Sequence, residues 1–198
     1  MLNNLKRPCD SGILVLDYGS QYTLLIARRL RELGIYAEII AGTAEAPPAG
    51  FNFYGLILSG GPDTVTDAGS RRMPAWVLAS GKPVLGLCYG MQLIVEHFGG
   101  KRQSGKGREY GRAMMHLQSK LPGPGAACFD GLPAAQQVWQ SHGDDIAAMP
   151  DVLALAGQTE DRVVAAIVHK ERPVIGLQFH PEVQHSEHGS ALLANFVR

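Results

Sequence analysis

Paired cysteines, an excess of either charge and long apolar runs are all missing from this chain, and each absence removes a class of answers. Its 198 residues hold three cysteines, Cys9, Cys88 and Cys128. An odd number with no metal-ligand spacing offers neither a disulfide framework nor a zinc cluster, and points to a reducing compartment. Lysine plus arginine and aspartate plus glutamate number 18 each, so no overall field favours nucleic acid or an anionic membrane. The one locally basic stretch, Lys101-Arg102 through Lys106 and Arg108, reads as a solvated loop. No apolar run reaches the length of a membrane span, and Met1 to Gly12 lacks the apolar core of a signal peptide. A cytoplasmic protein is the expectation. Ser59-Gly60-Gly61-Pro62 is glycine-rich but lacks the Lys-Ser/Thr ending of a phosphate loop. What is present is ordinary for a globule: 45% hydrophobic and 18% charged residues, in a length that suits one domain with its own core.

Over the first hundred residues apolar runs alternate with amphipathic ones. Ile13 to Asp17 reads as a buried strand, followed by a turn at Tyr18-Gly19-Ser20-Gln21 with Ser20 placed to cap a helix. Tyr22, Ile26, Leu30 and Leu33 then share one helical face, which ends at Gly34. Further strands are predicted at Tyr36 to Ile40, Gly55 to Leu58 and Pro83 to Leu87, with a helix near Arg72 to Ala79. This alternation indicates parallel βαβ units. After Gly100 the runs shorten, at Arg112 to Leu117, Gln136 to Gln140, Val152 to Ala156 and Val163 to Val168. The pattern predicts an α/β fold: an open, mostly parallel twisted sheet flanked by helices, with a smaller antiparallel section laid against it. A closing helix is predicted around Ala191 to Val197.

The chemistry concentrates in Gly86-Leu87-Cys88-Tyr89-Gly90. A cysteine between two glycines, after the apolar run from Pro83 and before a helical face of Met91, Ile94, Val95 and Phe98, reads as a nucleophile on a sharp strand-to-helix turn. Its thiol is expected to stand exposed. The positive end of the helix favours a thiolate there. Taken singly, a buried cysteine is more often a small apolar core residue, so its partners decide. Gln178-Phe179-His180-Pro181-Glu182 closes a second apolar run. His180 and Glu182 lie two apart, so extended backbone puts both on one face, where the carboxylate can orient the imidazole. Ser59-Gly60-Gly61-Pro62 follows a third run, and in an open α/β sheet such loops gather outside the carboxyl ends of the strands. The N–H groups of Gly60, Gly61 and Tyr89 then suit an oxyanion hole. Alone, the Gly-Gly loop would be read as a simple turn. Together these residues describe acyl transfer through a thioester, with Cys88 as nucleophile, His180 as acid and base, and Glu182 as its orienter. No metal is required.

On these blocks the chain resembles the class I, triad-type glutamine amidotransferases. The general signature is Ser59-Gly60-Gly61-Pro62, Gly86-Leu87-Cys88-Tyr89-Gly90-Met91-Gln92 and Phe179-His180-Pro181-Glu182. Within the family it is similar to the amidotransferase portion of GMP synthases, through Leu16-Asp17-Tyr18-Gly19-Ser20-Gln21-Tyr22-Thr23, Arg108-Glu109-Tyr110-Gly111 and Ser141-His142-Gly143-Asp144. The resemblance implies a flavodoxin-like amidotransferase domain over residues 1–198 and hydrolysis of L-glutamine to glutamate and ammonia. The ammonia would pass to an ATP pyrophosphatase domain or subunit that aminates XMP. It implies the triad Cys88, His180 and Glu182, oxyanion N–H groups from Gly60, Gly61 and Tyr89, and glutamine contacts from Gln92 and from the loop Ser141, His142, Gly143 and Asp144. For that loop a hydrogen-bonded turn is an equal reading, and Arg108 to Gly111 suits a domain interface or the start of a strand. No cofactor is expected in this chain, with ATP and magnesium confined to the partner. The ATP pyrophosphatase and dimerisation domains usual in GMP synthases have no counterpart here, which suits either a separate subunit or a piece of a longer protein. Tyr18 stands where phenylalanine is common, and Leu24 where glutamine is common.

Three other readings share parts of this pattern. A glutaminase subunit for anthranilate or carbamoyl phosphate synthesis would carry the same triad, but the Gly-Ser-Gln-Tyr-Thr and Ser-His-Gly-Asp blocks speak against it. A γ-glutamyl hydrolase would share the Cys-His site and release a peptide or amino acid. A non-catalytic regulatory module would lack triad members, and all three are present.

Overall fold

The apolar runs of the sequence become strands of one sheet. The computed structural model describes residues 9–62 and 69–198, with only the backbone of residues 102, 104–110 and 141–144. In chain order the elements are β1 (Ser11–Asp17), α1 (Thr23–Glu32), β2 (Ala37–Ala41), β3 (Asn52–Leu58), α2 (Trp76–Ala79), β4 (Val84–Leu87), α3 (Tyr89–His97) and β5 (Lys101–Leu117). A short 3-10 helix (Pro124–Phe129), β6 (Ala135–Ala148), β7 (Leu153–Thr159), β8 (Val164–His169), β9 (Val174–Leu177) and α4 (Gly189–Phe196) follow. The strand order is β2-β1-β3-β4-β9-β8-β7-β5-β6. Strands β2, β1, β3, β4 and β9 run parallel, and the remaining pairings are antiparallel.

Strand period explains the two cores. Ile13 and Val15 of β1 point to one face, where Ile26 and Leu30 of α1 and Leu192, Leu193 and Phe196 of α4 cover them. Leu14 and Leu16 point to the other, against Leu93, Ile94 and Val95 of α3 and Val77 and Leu78 of α2. Both faces are buried, which is why β1, β3, β4 and β9 read as continuous apolar runs rather than alternating ones.

The antiparallel section continues the parallel sheet rather than lying against it. Strand β8 pairs directly with β9, Ala166 opposite Leu177 and Val168 opposite Ile175, so reversing the chain after β8 extends the same hydrogen-bond ladder. Two expected loops are also strand. Lys101 through Arg108 lies in β5, and Ser141–Asp144 lies in β6, with Ser141 opposite Tyr110, His142 opposite Glu109 and Asp144 opposite Ser104. A long hairpin rich in polar residues carries no period-two apolar signal, so its sequence reads as turn. The side chains of residues 102, 104–110 and 141–144 lie outside the described residues, as does the Met1 to Pro8 segment.

Ser20 does not cap α1, because it lies two residues before the cap position, held by Tyr22. Its Oγ accepts from the Tyr22 N–H (3.0 Å), while Thr23 Oγ1 donates to Asp17 Oδ1 (2.7 Å), tying the helix start to the end of β1. Among the described residues no helix is long and apolar enough to cross a membrane.

Tyr18 is fully buried, and its hydroxyl finds no partner among the described residues. Burial, with Tyr89 nearby, pushes its ionisation well above the usual tyrosine range. A buried hydroxyl without a partner forfeits about 1–3 kcal/mol of solvation. Tyr18→Phe removes that group without changing the ring, so it should raise unfolding stability by about 1–2 kcal/mol. Denaturant titration checks this, and a loss of stability would show that the hydroxyl is bonded after all.

Candidate active site

Strand β4 runs into helix α3 through a single residue, Cys88, whose backbone sits at φ +49°, ψ −106°. A non-glycine residue there costs about 1–3 kcal/mol unless its surroundings hold it. The Cys88 N–H donates to Leu177 O of β9 (2.7 Å), and its carbonyl accepts from Gln92 N–H (3.2 Å). The flanking glycines serve space rather than a special dihedral, since neither has positive φ. A Cβ on Gly86 would lie 2.6 Å from the Gly90 carbonyl carbon, and one on Gly90 would lie 2.4 Å from Leu58 O. Strand β3, the turn and α3 close up only without those side chains. The thiol is not exposed as the motif suggested, because Cys88 is 7% accessible and lines a cavity instead of the open surface.

Beyond β9 the chain brings His180 and Glu182 together, with Nδ1 and Oε1 2.8 Å apart. Both are buried. The second carboxylate oxygen, Oε2, has no hydrogen-bond partner among the described residues, so His180 is the group that balances this buried charge. Burial alone would push the imidazole down. Glu182's charge and hydrogen bonds to Cys88 and Glu182 outweigh it and hold the imidazole up at about 10. The Tyr22 ring meets the imidazole edge-on, centroids 5.0 Å apart, and the His180 N–H donates to Trp139 O (3.2 Å). Two helices brace the stretch that follows. Arg29 Nε of α1 donates to Glu182 O (3.0 Å), and Gly189 of α4 comes so close that a Cβ there would lie 1.9 Å from Pro181 O.

The loop after β3 completes the arrangement. Ser59 Oγ accepts from the Tyr18 N–H (2.9 Å) and donates to Gly60 O (2.8 Å). A Cβ on Gly60 would lie 3.2 Å from His180 Cε1 and 3.5 Å from Cys88 Cβ, and one on Gly61 would lie 2.5 Å from Tyr18 O. Among the described residues neither amide N–H of this pair has an acceptor. Tyr89 is the first residue of α3, directly after the sulfur-bearing residue, with its hydroxyl bonded to Arg71 O. The cavity has a volume of about 280 Å³ and is lined by residues 19–22 with Gly61, Pro62, Cys88 and His180. A sulfur, an imidazole and a carboxylate in hydrogen-bonded series beside two unengaged amides can carry nucleophilic acyl transfer.

The expected glutamine contacts fare differently. Gln92 is buried one turn beyond Cys88 and does not line it. For Ser141, His142, Gly143 and Asp144 only the strand backbone is described. Conversely, Gly19, Ser20, Gln21 and Tyr22 line it, although the sequence assigns them only to a turn and a helix start within one of the blocks that carry the family resemblance. Gln178 was also passed over, though it extends the alternation of His180 and Glu182 back by one step. Among the described residues no group of three His, Cys, Asp or Glu side chains could hold a metal ion.

A family model described as glutamine amidotransferase class-I matches residues 14–198. The chain is 45% identical over 189 residues to "GMP synthase [glutamine-hydrolyzing]" of Vibrio vulnificus (strain YJ016), covering 95% of this chain and 36% of that protein. It is 47% identical to the protein of the same name from Vibrio parahaemolyticus serotype O3:K6, with the same coverage. The chain thus spans about a third of the length of these relatives. Among solved structures, a putative GMP synthase subunit from Thermoplasma acidophilum superposes with a TM-score of 0.76 at 32% identity, over 93% of this chain and 91% of that one. A glutamine amidotransferase from Thermotoga maritima shares the fold, with a TM-score of 0.69 at 20% identity over 88% and 77%.

Proposed function

The chain belongs to the class-I glutamine amidotransferases, and we propose that it is the glutamine-hydrolysing part of a GMP synthase, with Cys88, His180 and Glu182 as its triad. One observation carries this reading: side chains from two distant stretches meet beside a single cavity, lined by Cys88 and His180, with the imidazole bonded both to the sulfur and to the Glu182 carboxylate behind it. The Cys88 sulfur attacks the carboxamide carbon of glutamine, forming a C–S bond. The resulting oxyanion is held by N–H groups of Gly60, Gly61 and Tyr89. His180 passes its proton to the amide nitrogen as the C–N bond breaks, releasing ammonia and leaving a γ-glutamyl thioester. Water then attacks the thioester carbon, His180 takes its proton, and cleavage of the C–S bond frees glutamate. Glu182 keeps the imidazole in the orientation and charge state each step needs. With Gln92 away from the cavity lining, residues 19–22 are the better candidates to contact glutamine.

The ammonia is consumed by a synthetase domain or subunit that binds ATP, magnesium and XMP. Ammonia made without an acceptor wastes glutamine, so the hydrolysis is coupled to that partner. Glutamate release by this chain alone should be slow, and should rise about tenfold or more when synthetase, XMP and Mg-ATP are added, a coupling of ordinary size. A rate indifferent to partner and nucleotides overturns the GMP assignment. Absence of glutamate release under every condition overturns the glutaminase reading itself.

A further inference from the structure

Resting on the reading of Cys88 as nucleophile, we infer that Gln178 is a further catalytic residue of this site, its side-chain amide serving as a second donor to the reacting sulfur beside His180. Nε2 of Gln178 lies 3.7 Å from Cys88 Sγ, within hydrogen-bonding range for sulfur, and the residue is 2% exposed. Its position is set from two sides. The Gln178 N–H donates to Ala165 O at 2.9 Å, and the preceding carbonyl, Leu177 O, accepts the Cys88 N–H at 2.7 Å. The end of β9 is thereby bonded to the turn that presents the sulfur.

The alternation of extended backbone supplies the rest. Gln178, His180 and Glu182 are two residues apart, while Phe179 between the first pair is fully buried in the hydrophobic core. Two members of the series therefore meet the sulfur, and the third meets the imidazole. A neutral amide suits this place. Donation to a sulfur that carries negative charge is a charge-assisted hydrogen bond, strengthened by burial. The same amide brings no charge of its own to compete with His180. When the sulfur becomes a neutral thioester that bond weakens, so Gln178 acts on the charged forms of the nucleophile and directs the sulfur toward the cavity.

The test is carboxamidomethylation of the full chain by iodoacetamide, with the modified cysteine identified by peptide mass and folding followed by circular dichroism. At pH 7, Gln178→Leu should slow labelling of Cys88 about tenfold, the value of one charge-assisted bond to sulfur. The midpoint of the labelling profile should move to higher pH, and kcat for glutamine should fall while KM stays within about threefold. Gln178→Glu should label more slowly still at pH 7, and the gap should narrow in acid, where a protonated carboxyl regains a donor. Unchanged labelling rates and superimposable pH profiles in Gln178→Leu overturn the inference; if that variant does not fold, the same result in Gln178→Glu does so. Wild-type Cys88 reacting no faster than the exposed Cys9 overturns the nucleophile assignment on which it rests.

Discussion

Cys88→Ala should abolish glutamine hydrolysis, lowering the rate by about four orders of magnitude or more, while ammonia-dependent synthesis by the reconstituted partner is untouched. The magnitude follows from what is lost. The sulfur that forms the bond to carbon is gone, and the remaining oxyanion donors and binding contacts sustain only a small residual rate over water. The fold should survive, because alanine at φ +49° meets the same strain as cysteine and leaves the Leu177 and Gln92 backbone bonds in place. Glutamate release, ammonia-driven product formation and thermal unfolding are therefore measured together. Loss of both activities in a folded variant would sink the division of labour between this chain and a synthetase. Retained glutamine hydrolysis would sink the nucleophile.

Glu182→Gln should lower glutamine turnover by about two to four orders of magnitude with little change in shape. The carboxylate accepts from His180 Nδ1 at 2.8 Å. An amide in its place can donate to that nitrogen, turning the imidazole to the tautomer whose proton faces the sulfur and which can no longer accept one from it. The charge also disappears. Burial pushes the imidazole down, and the carboxylate is first among the groups that push it back up, to about 10. The sign for stability follows. A histidine whose folded value lies above the ordinary 6.5 contributes stability fully below pH 6.5, and loses it as pH rises through about 10. The stability deficit of Glu182→Gln should therefore be greatest at and below pH 6.5 and shrink toward alkaline pH. Equal deficits at pH 6 and pH 10 would refute the charge argument and leave Glu182 a packing role only.

How much of the site was legible depended on the range of the forces that build it. The Gly-x-Cys-x-Gly turn is compact: Gly86 is required by the Gly90 backbone four residues on and Gly90 by Leu58 O of the adjoining strand β3, and the two-residue spacing about Cys88 betrayed it. The pairing of His180 with Glu182 is also local, since residues two apart in near-extended chain share a face. Gln178 obeys the same rule and was overlooked because an amide has no chemistry that advertises itself. Arg29 could not have been found this way. Its bond to the Glu182 carbonyl joins positions 153 apart, and nothing in the arginine-rich face of α1 distinguishes that residue from Arg28.

The polar second half was read least well. Ser141 to Asp144 and Lys101 to Arg108 are composed of turn-forming and charged residues, yet they pair as one long hairpin at the edge of the sheet. Strand pairing there is decided by a neighbouring strand rather than by the residues' own preference. What the order of residues determined by itself was the parallel strands, the sharp turn at Cys88 and the pairing of His180 with Glu182, because steric demands and side-chain period act over a few residues. What only tertiary structure decided was the approach of sulfur to imidazole, the recess in which the sulfur lies, the joining of the antiparallel strands to the edge of the parallel sheet and the company of Gln178 and Tyr22. Those depend on which strand lies next to which, and adjacency in a sheet is settled by the packing of both its faces at once.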